Sequence, residues 1–107
     1  MYKKVTIDGK EIELASNAAT PFRYKQVFHK DLLQIFGDQD KAETEGAETI
    51  MELAFIMAKQ AERTDMSKLN YEEFISWLED FGSMAFIENA DEIIGVYMGT
   101  QKTSSTP

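Results

Sequence analysis

The first stretch of the chain alternates apolar and polar residues on both sides of an Asp-Gly pair at positions 8 and 9. The apolar positions are Val5, Ile7, Ile12 and Leu14. Alternation with period two is typical of half-buried strands, and Asp-Gly favours the positive φ angles of a two-residue turn. The pattern predicts a β-hairpin over residues 3–14, with Val5 opposite Ile12 and Lys4 opposite Glu13. A lone hairpin is marginal in water, so we expect it to pack against helices or against a neighbouring subunit's strands.

After the hairpin, apolar residues recur at three- and four-residue spacing, which is typical of helices. Thr20-Pro21 is a helix-start signal, because proline tolerates the first helical position. The spacing then predicts one helix that ends at Gly37, a natural C-terminal cap. An acidic polar loop is expected over residues 37–46, followed by a second helix over 47–62 that is apolar almost all round and therefore central to the fold.

The second half of the chain predicts shorter helices. Asn70 followed by Glu73 is a capping pattern that opens a third helix before Gly82. A fourth helix is expected to begin near Ser83, with a break at residues 89–92. The sequence thus predicts a mainly α fold of four to five short helices with an N-terminal β-hairpin. It also predicts a single domain over residues 1–98 and a disordered polar tail over 99–107.

Composition narrows the classes of function. The chain has 107 residues, 19 acidic against 11 basic side chains, a net charge of −8 and no cysteine. An acidic surface repels phosphate, so we expect no nucleic-acid partner. The longest apolar stretch, residues 53–58, is far shorter than the roughly 20 residues of a membrane span, and the N-terminus lacks a signal-peptide pattern. We expect a soluble protein that is not exported.

Candidate catalytic groups are sparse. His29 is the only histidine, and its helical neighbours at three and four residues include no carboxylate that would orient it or share a metal. Adjacent acids such as Glu72-Glu73 point apart on a helix and are interpreted as solvated faces. We therefore expect no catalytic residue, no cofactor and no enzymatic activity.

A calcium loop is suggested only by the segment that ends at Glu73. Counting back from Glu73 places Glu62, Thr64 and Met66 at the first three ligand positions and Ser67 where the turn requires glycine. This arrangement supplies too few oxygen ligands, so we expect no metal site.

Apolar side chains are abundant instead: the chain has seven phenylalanines, four tyrosines, one tryptophan and six methionines. Short helices and a hairpin bury only part of this surface, which indicates contact with partner proteins. Trp77 lies off the apolar stripe of its helix, and Phe81 follows at four-residue spacing. Trp77, Phe81 and Met84 are the predicted interaction surface, and Val5 and Ile12 would join it if the hairpin packs between subunits.

Four segments, in order, resemble the tail assembly chaperones of siphophages and prophages of Gram-positive bacteria. They are residues 5–10, 21–33, 53–61 and 71–79, and the resemblance spans residues 3 to 98. At the position of His29 the relatives are expected to carry a small residue such as glycine.

The resemblance implies a protein that binds the tape measure protein and keeps it soluble before the tail tube polymerises. It also implies self-association into a ring or spiral, and contact with tail tube protein through a longer frameshifted product. Such a chaperone acts in the host bacterial cytoplasm and is absent from the mature virion. Two other classes fit the residues: a small adaptor or connector that remains in a phage particle, and a regulatory module that binds and inhibits an enzyme.

Overall fold

The structure, a computed structural model, describes residues 1–99, apart from the side chains of residues 41–44. The predicted polar tail lies outside the described residues from position 100 onward.

The N-terminal hairpin is formed by β1 (Tyr2–Ile7) and β2 (Lys10–Ala15), which pair antiparallel around the Asp8-Gly9 turn. Val5 is paired with Ile12 and Lys4 with Glu13, so the predicted register is confirmed. Asp8 and Gly9 have φ angles of 55° and 76°, as a tight turn of this kind requires. One face of the hairpin therefore packs against the helices, and its side chains Val5, Ile7 and Leu14 are buried in the core.

Two helices follow where a single helix was predicted. They are α1 (Thr20–Phe28) and α2 (Leu32–Gly37). His29 ends α1 in the left-handed conformation, with φ 60°, and its N–H donates to the carbonyl oxygen of Lys25 at 2.8 Å. Glycine adopts this conformation at least cost, which gives a physical reason for a small residue at this position. Asp31 then caps α2, because its carboxylate accepts hydrogen bonds from the N–H groups of Leu33 and Gln34.

The predicted loop over residues 37–46 is wrong, because α3 already begins at its third residue and runs over Gln39–Ala61. Its first turns are rich in residues with good helix propensity, and acidic side chains near a helix N-terminus are stabilised by the helix dipole. A polar segment is typical of a loop, but polar residues also form the solvent-facing ends of helices. The central position predicted for this helix is confirmed, since residues 52–58 are all buried.

The remaining helical elements are a 3₁₀ turn at Met66–Lys68, α4 (Tyr71–Leu78), α5 (Ala85–Glu88) and α6 (Ala90–Met98). The predicted cap of α4 is confirmed: Asn70 Oδ1 accepts from the N–H of Glu73 at 2.9 Å. The predicted break in the last helix lies at Asn89, between α5 and α6. The fold class is likewise confirmed as mainly α with an N-terminal antiparallel hairpin. Strand β2 and the helices α1, α2, α4, α5 and α6 all pack against α3, which is the centre of the fold.

Candidate protein-interaction surface

The side chains that could perform chemistry are dispersed. His29 is exposed at the end of α1, and no group of three histidine, aspartate or glutamate side chains is placed to hold a metal ion among the residues whose side chains the structure describes. The same described part of the chain has no helix with the length and hydropathy that crossing a membrane requires.

A polar network around the buried carboxylate of Glu52 joins α1 and the connection before α2 to α3. Tyr24 donates its hydroxyl to Glu52 Oε1 at 2.5 Å, and Lys30 Nζ donates to Glu52 Oε2 at 3.1 Å and to Glu48 Oε1 at 2.8 Å. Glu52 is only 1% exposed, so burial raises its pKa, while the hydrogen bonds from Tyr24 and Lys30 oppose that rise. This carboxylate is closed off from substrate. The network therefore ties α1 and the connection at Lys30 to α3.

Tyr24 and Lys30 both keep their protons more tightly in this network. Burial, followed by the hydrogen bond to Glu52, raises the pKa of Tyr24 far above its usual range. Burial acts to lower the pKa of Lys30, but its hydrogen bonds to Glu48 and Glu52 outweigh that effect and raise it. The Lys30 ammonium in turn lowers the pKa of Glu48. The network is thus a neutral hydroxyl and a cation that together compensate a buried carboxylate.

Trp77 and Phe81 belong to an aromatic cluster, whereas the sequence predicted that they lie on an exposed interaction surface. The cluster consists of Phe55, Phe74, Trp77, Phe81 and Phe86. The Trp77 ring lies 5.1 Å from that of Phe81, 5.3 Å from that of Phe86 and 5.5 Å from that of Phe55, centroid to centroid. Both Trp77 and Phe81 are only partly buried. The predicted proximity of the two residues is confirmed, and their role in partner binding stays a prediction.

The other three predicted interaction residues do not lie together. Met84 is 56% exposed in the turn before α5. Val5 is 2% exposed and Ile12 half-buried, and both pack against the helices of their own chain. A partner would reach Val5 only after the hairpin left the helices.

An open apolar surface is found instead where α2 meets α6. Five side chains form it, and we refer to them as the α2–α6 surface: Leu33, Phe36, Ile94, Tyr97 and Met98. The rings of Phe36 and Tyr97 are 5.9 Å apart, which joins the two helices. Leu33 and Met98 keep 62% and 63% of their surface exposed, and the other three are half-buried.

Sequence reasoning missed this surface although both helices carry the signal for it. Residues 32–36 read Leu-Leu-Gln-Ile-Phe and residues 93–97 read Ile-Ile-Gly-Val-Tyr, so each helix has two apolar doublets separated by one residue. The first members of the doublets are buried at 4% exposure or less: Leu32, Ile35, Ile93 and Val96. The second members lie about 100° further around the helix and form the open surface. Each of the two helices therefore has an apolar face that is wider than the part buried against the core.

The charged groups that flank the α2–α6 surface are acidic. Asp31 and Asp38 are the capping residues at the two ends of α2, and Asp91 and Glu92 occupy the first turn of α6. Asp31 lies near enough to Tyr97 to raise the pKa of its hydroxyl, after the larger effect of burial. Glu92 is paired with Lys3 at 3.4 Å. The α2–α6 surface is therefore apolar at its centre, and the Asp31 carboxylate lies close to Tyr97 at its edge.

No family model, no curated protein and no solved structure matches this chain.

Proposed function

We propose that this protein is a tail assembly chaperone of a long-tailed phage or prophage, which binds the tape measure protein and keeps it soluble before the tail tube polymerises. It has no chemistry of its own in this proposal. The observation that carries the binding role is the α2–α6 surface, in which two helices with the same doublet pattern present apolar side chains side by side. The resemblance of residues 3–98 to tail assembly chaperones supports the specific client.

The α2–α6 surface suits the capture of an amphipathic helix. Large exposed apolar side chains next to each other are uncommon on a free surface and mark binding sites. A client helix would place its own apolar stripe against Leu33, Phe36 and Tyr97, as helix-in-groove complexes do. The acidic edge favours a client with basic residues beside that stripe, and the net charge of −8 would keep the complex dispersed.

The proposal includes the family's other expected properties. The chaperone acts in the host bacterial cytoplasm, self-associates into a ring or spiral, and leaves before the virion is mature. A longer frameshifted product would contact tail tube protein.

The experiment that tests the function is co-expression with the tape measure protein encoded beside this chain, followed by copurification and light scattering. We expect a soluble complex that forms only when this chain is present. Replacing Leu33 and Met98 together by glutamine should weaken copurification, because both side chains lose their apolar contact. The matched control replaces Phe22 and Tyr71 by glutamine, since these residues are also more than half exposed, at 73% and 56%, on α1 and α4.

Different outcomes separate the proposed function from its alternatives. A client that is equally soluble alone, with no copurification, overturns the chaperone. Persistence of this chain in purified mature particles identifies a structural adaptor. Copurification that survives the Leu33 and Met98 changes keeps the chaperone but overturns the α2–α6 surface as its binding site.

A further inference from the structure

A second site lies on another part of the molecule, in an open groove between α1, the C-terminal end of α3 and the connection that follows. Its volume is about 460 Å³, which is within the range of ligand pockets. Arg23 lines it from α1, and Gln60 and Arg63 line it from the end of α3. Arg23 and Arg63 are the only two arginines in the chain. An acidic protein therefore gathers both of its guanidinium groups at one groove.

Both guanidinium groups are available for a ligand. Within the described residues, neither Arg23 nor Arg63 donates a side-chain hydrogen bond or lies within 4.0 Å of a carboxylate oxygen. Asp65 also lines the groove, and its Oδ1 accepts from the N–H of Ser67 at 3.0 Å and from its hydroxyl at 2.7 Å. These hydrogen bonds, and then the charge of Arg23, lower the pKa of Asp65, so this carboxylate offsets part of the positive charge of the groove. Two guanidinium groups against one carboxylate leave the lining net positive. Each guanidinium presents five N–H donors in a planar fork that matches the two oxygens of a carboxylate.

Gln60 is the third polar group of the groove. Its Oε1 is buried and has no hydrogen-bond partner among the described residues. A buried acceptor without a donor lowers stability, so a ligand that satisfies it gains affinity. Rotation of the amide toward the groove would let a main-chain N–H of a bound peptide reach this oxygen.

Arg63 occupies a backbone position that an arginine does not favour. Its φ is 60°, its N–H donates to the carbonyl oxygen of Gln60, and the N–H of Thr64 donates to that of Lys59, both at 3.0 Å. This pair of bonds is the Schellman end of a helix, where glycine is the usual residue at the left-handed position. An arginine at this position lowers the stability of the fold, which would favour glycine. The arginine is therefore explained by the groove and not by the fold.

We propose that the groove binds a carboxylate-bearing peptide segment, with Arg23 and Arg63 holding the carboxylates and Gln60 contacting the peptide main chain. A peptide is favoured over a nucleic acid by the charge of the whole molecule. A long polyanion would meet the net charge of −8, whereas one or two carboxylates respond only to charges within a screening length of about 8 Å.

The site is independent of the α2–α6 surface and of the client proposed for it. Its carboxylates would come from another protein or from a second copy of this acidic chain.

The test measures fluorescence anisotropy of a rhodamine-labelled decapeptide that carries two glutamates, titrated with the full chain. The same decapeptide with glutamines in their place is the ligand control. We expect the glutamate peptide to bind at least about tenfold more tightly, as hydrogen bonds to a charged group imply. Replacing both arginines (Arg23→Gln with Arg63→Gln) should remove this preference. The matched protein control is Lys25→Gln with Lys68→Gln, which changes the net charge equally and leaves the lining of this groove intact.

Arg63→Gly separates binding from folding. Glycine relieves the left-handed backbone and removes the guanidinium, so the urea midpoint of unfolding should rise while the glutamate peptide binds more weakly. Equal binding of the two peptides, or equal losses in the arginine and lysine double variants, overturns the site. Displacement of the peptide by inorganic phosphate at micromolar concentration also overturns it, in favour of a small-anion site. Sedimentation of the free chain identifies the source: a mass that grows with concentration, and does so less in the arginine double variant, assigns the carboxylates to a second copy.

Discussion

The aromatic cluster and the α2–α6 surface are built from the same kinds of side chain, yet one is closed and the other open. In the aromatic cluster, Phe86 lies 4.9 Å from Phe81 and 5.3 Å from Trp77, ring to ring, and is 2% exposed. In the α2–α6 surface a single ring pair, Phe36 and Tyr97, joins the two helices, and the aliphatic neighbours remain open to solvent.

The difference comes from what lies over each region. The tip of the hairpin closes the edge of the aromatic cluster: Lys10 Nζ lies 5.0 Å from the centre of the Phe81 ring and donates to the carbonyl oxygen of Asp80. Asp8 Oδ2 accepts from the N–H of Gly82 at 3.0 Å on the same loop. No described element covers Leu33 or Met98 in this way. Residue composition therefore does not distinguish a core cluster from a binding surface. The two are distinguished by whether another element of the fold covers them.

Trp77→Ala tests whether the aromatic cluster is structural, and it carries the largest expected effect. Removing the indole empties space beside three rings, so the free energy of unfolding should fall by about 3 kcal/mol. Urea unfolding followed by circular dichroism measures this, and Trp77→Phe should recover part of the loss. A decrease below about 0.5 kcal/mol would be typical of a surface residue and would return Trp77 to the predicted interaction surface.

Tyr24→Phe tests the polar network that ties α1 and the connection at Lys30 to α3. The variant loses the hydrogen bond to the buried Glu52 carboxylate, so the free energy of unfolding at neutral pH should fall by about 1.5 kcal/mol. Urea unfolding at neutral pH measures this loss. No loss would show that Lys30 alone satisfies Glu52.

Tyr24→Phe should also change how the free energy of unfolding depends on pH. Since the pKa values of Tyr24 and Lys30 are raised in the folded protein, the unfolded chain releases these protons first as pH rises above about 10. The folded state then binds more protons, and its stability falls with increasing pH. Tyr24→Phe has one such group fewer, so its stability should fall less steeply as pH rises from about 9.5 to about 11. Parallel pH profiles for the variant and the natural chain would contradict this assignment.

Lys10→Met tests the cover itself. The variant keeps the long apolar stem but loses the hydrogen bond to Asp80 and the attraction to the Phe81 ring, which together imply a loss of about 0.5–1 kcal/mol. Amide hydrogen exchange should increase locally around Gly82. Unchanged exchange there would show that the Asp8 contact alone holds the hairpin tip.

Local signals made some elements of the fold predictable. The Asp8-Gly9 turn and the Asn70 cap each act within a few residues, and both were located correctly together with the hairpin register. The break at His29 could not be found this way, because the apolar spacing continues through it and only a positive φ marks the end of α1. The early start of α3 was missed because the sequence of its first turns is polar and lacks an apolar stripe.

The candidate sites were harder to predict for a related reason. Trp77 lies off the main apolar stripe of α4, which indicated exposure, but Phe55 from α3 and Phe86 from α5 contact its ring. The doublets at residues 32–36 and 93–97 do identify open faces, but only the fold shows that the two faces meet. The Arg23 and Arg63 groove depends on a contact between α1 and the end of α3 that has no signature in the sequence.

The double variant Leu33→Gln with Met98→Gln tests the open α2–α6 surface, and it has the smallest expected effect on stability. Both side chains are more than three-fifths exposed, so little apolar area returns to water when they are replaced. The free energy of unfolding should change by no more than about 0.5 kcal/mol, while copurification with the client weakens. Urea unfolding and copurification of the same preparation measure the two quantities. A loss of stability as large as that of Trp77→Ala would mean that the α2–α6 surface is part of the core, since only a surface free to bind a partner loses binding without losing stability.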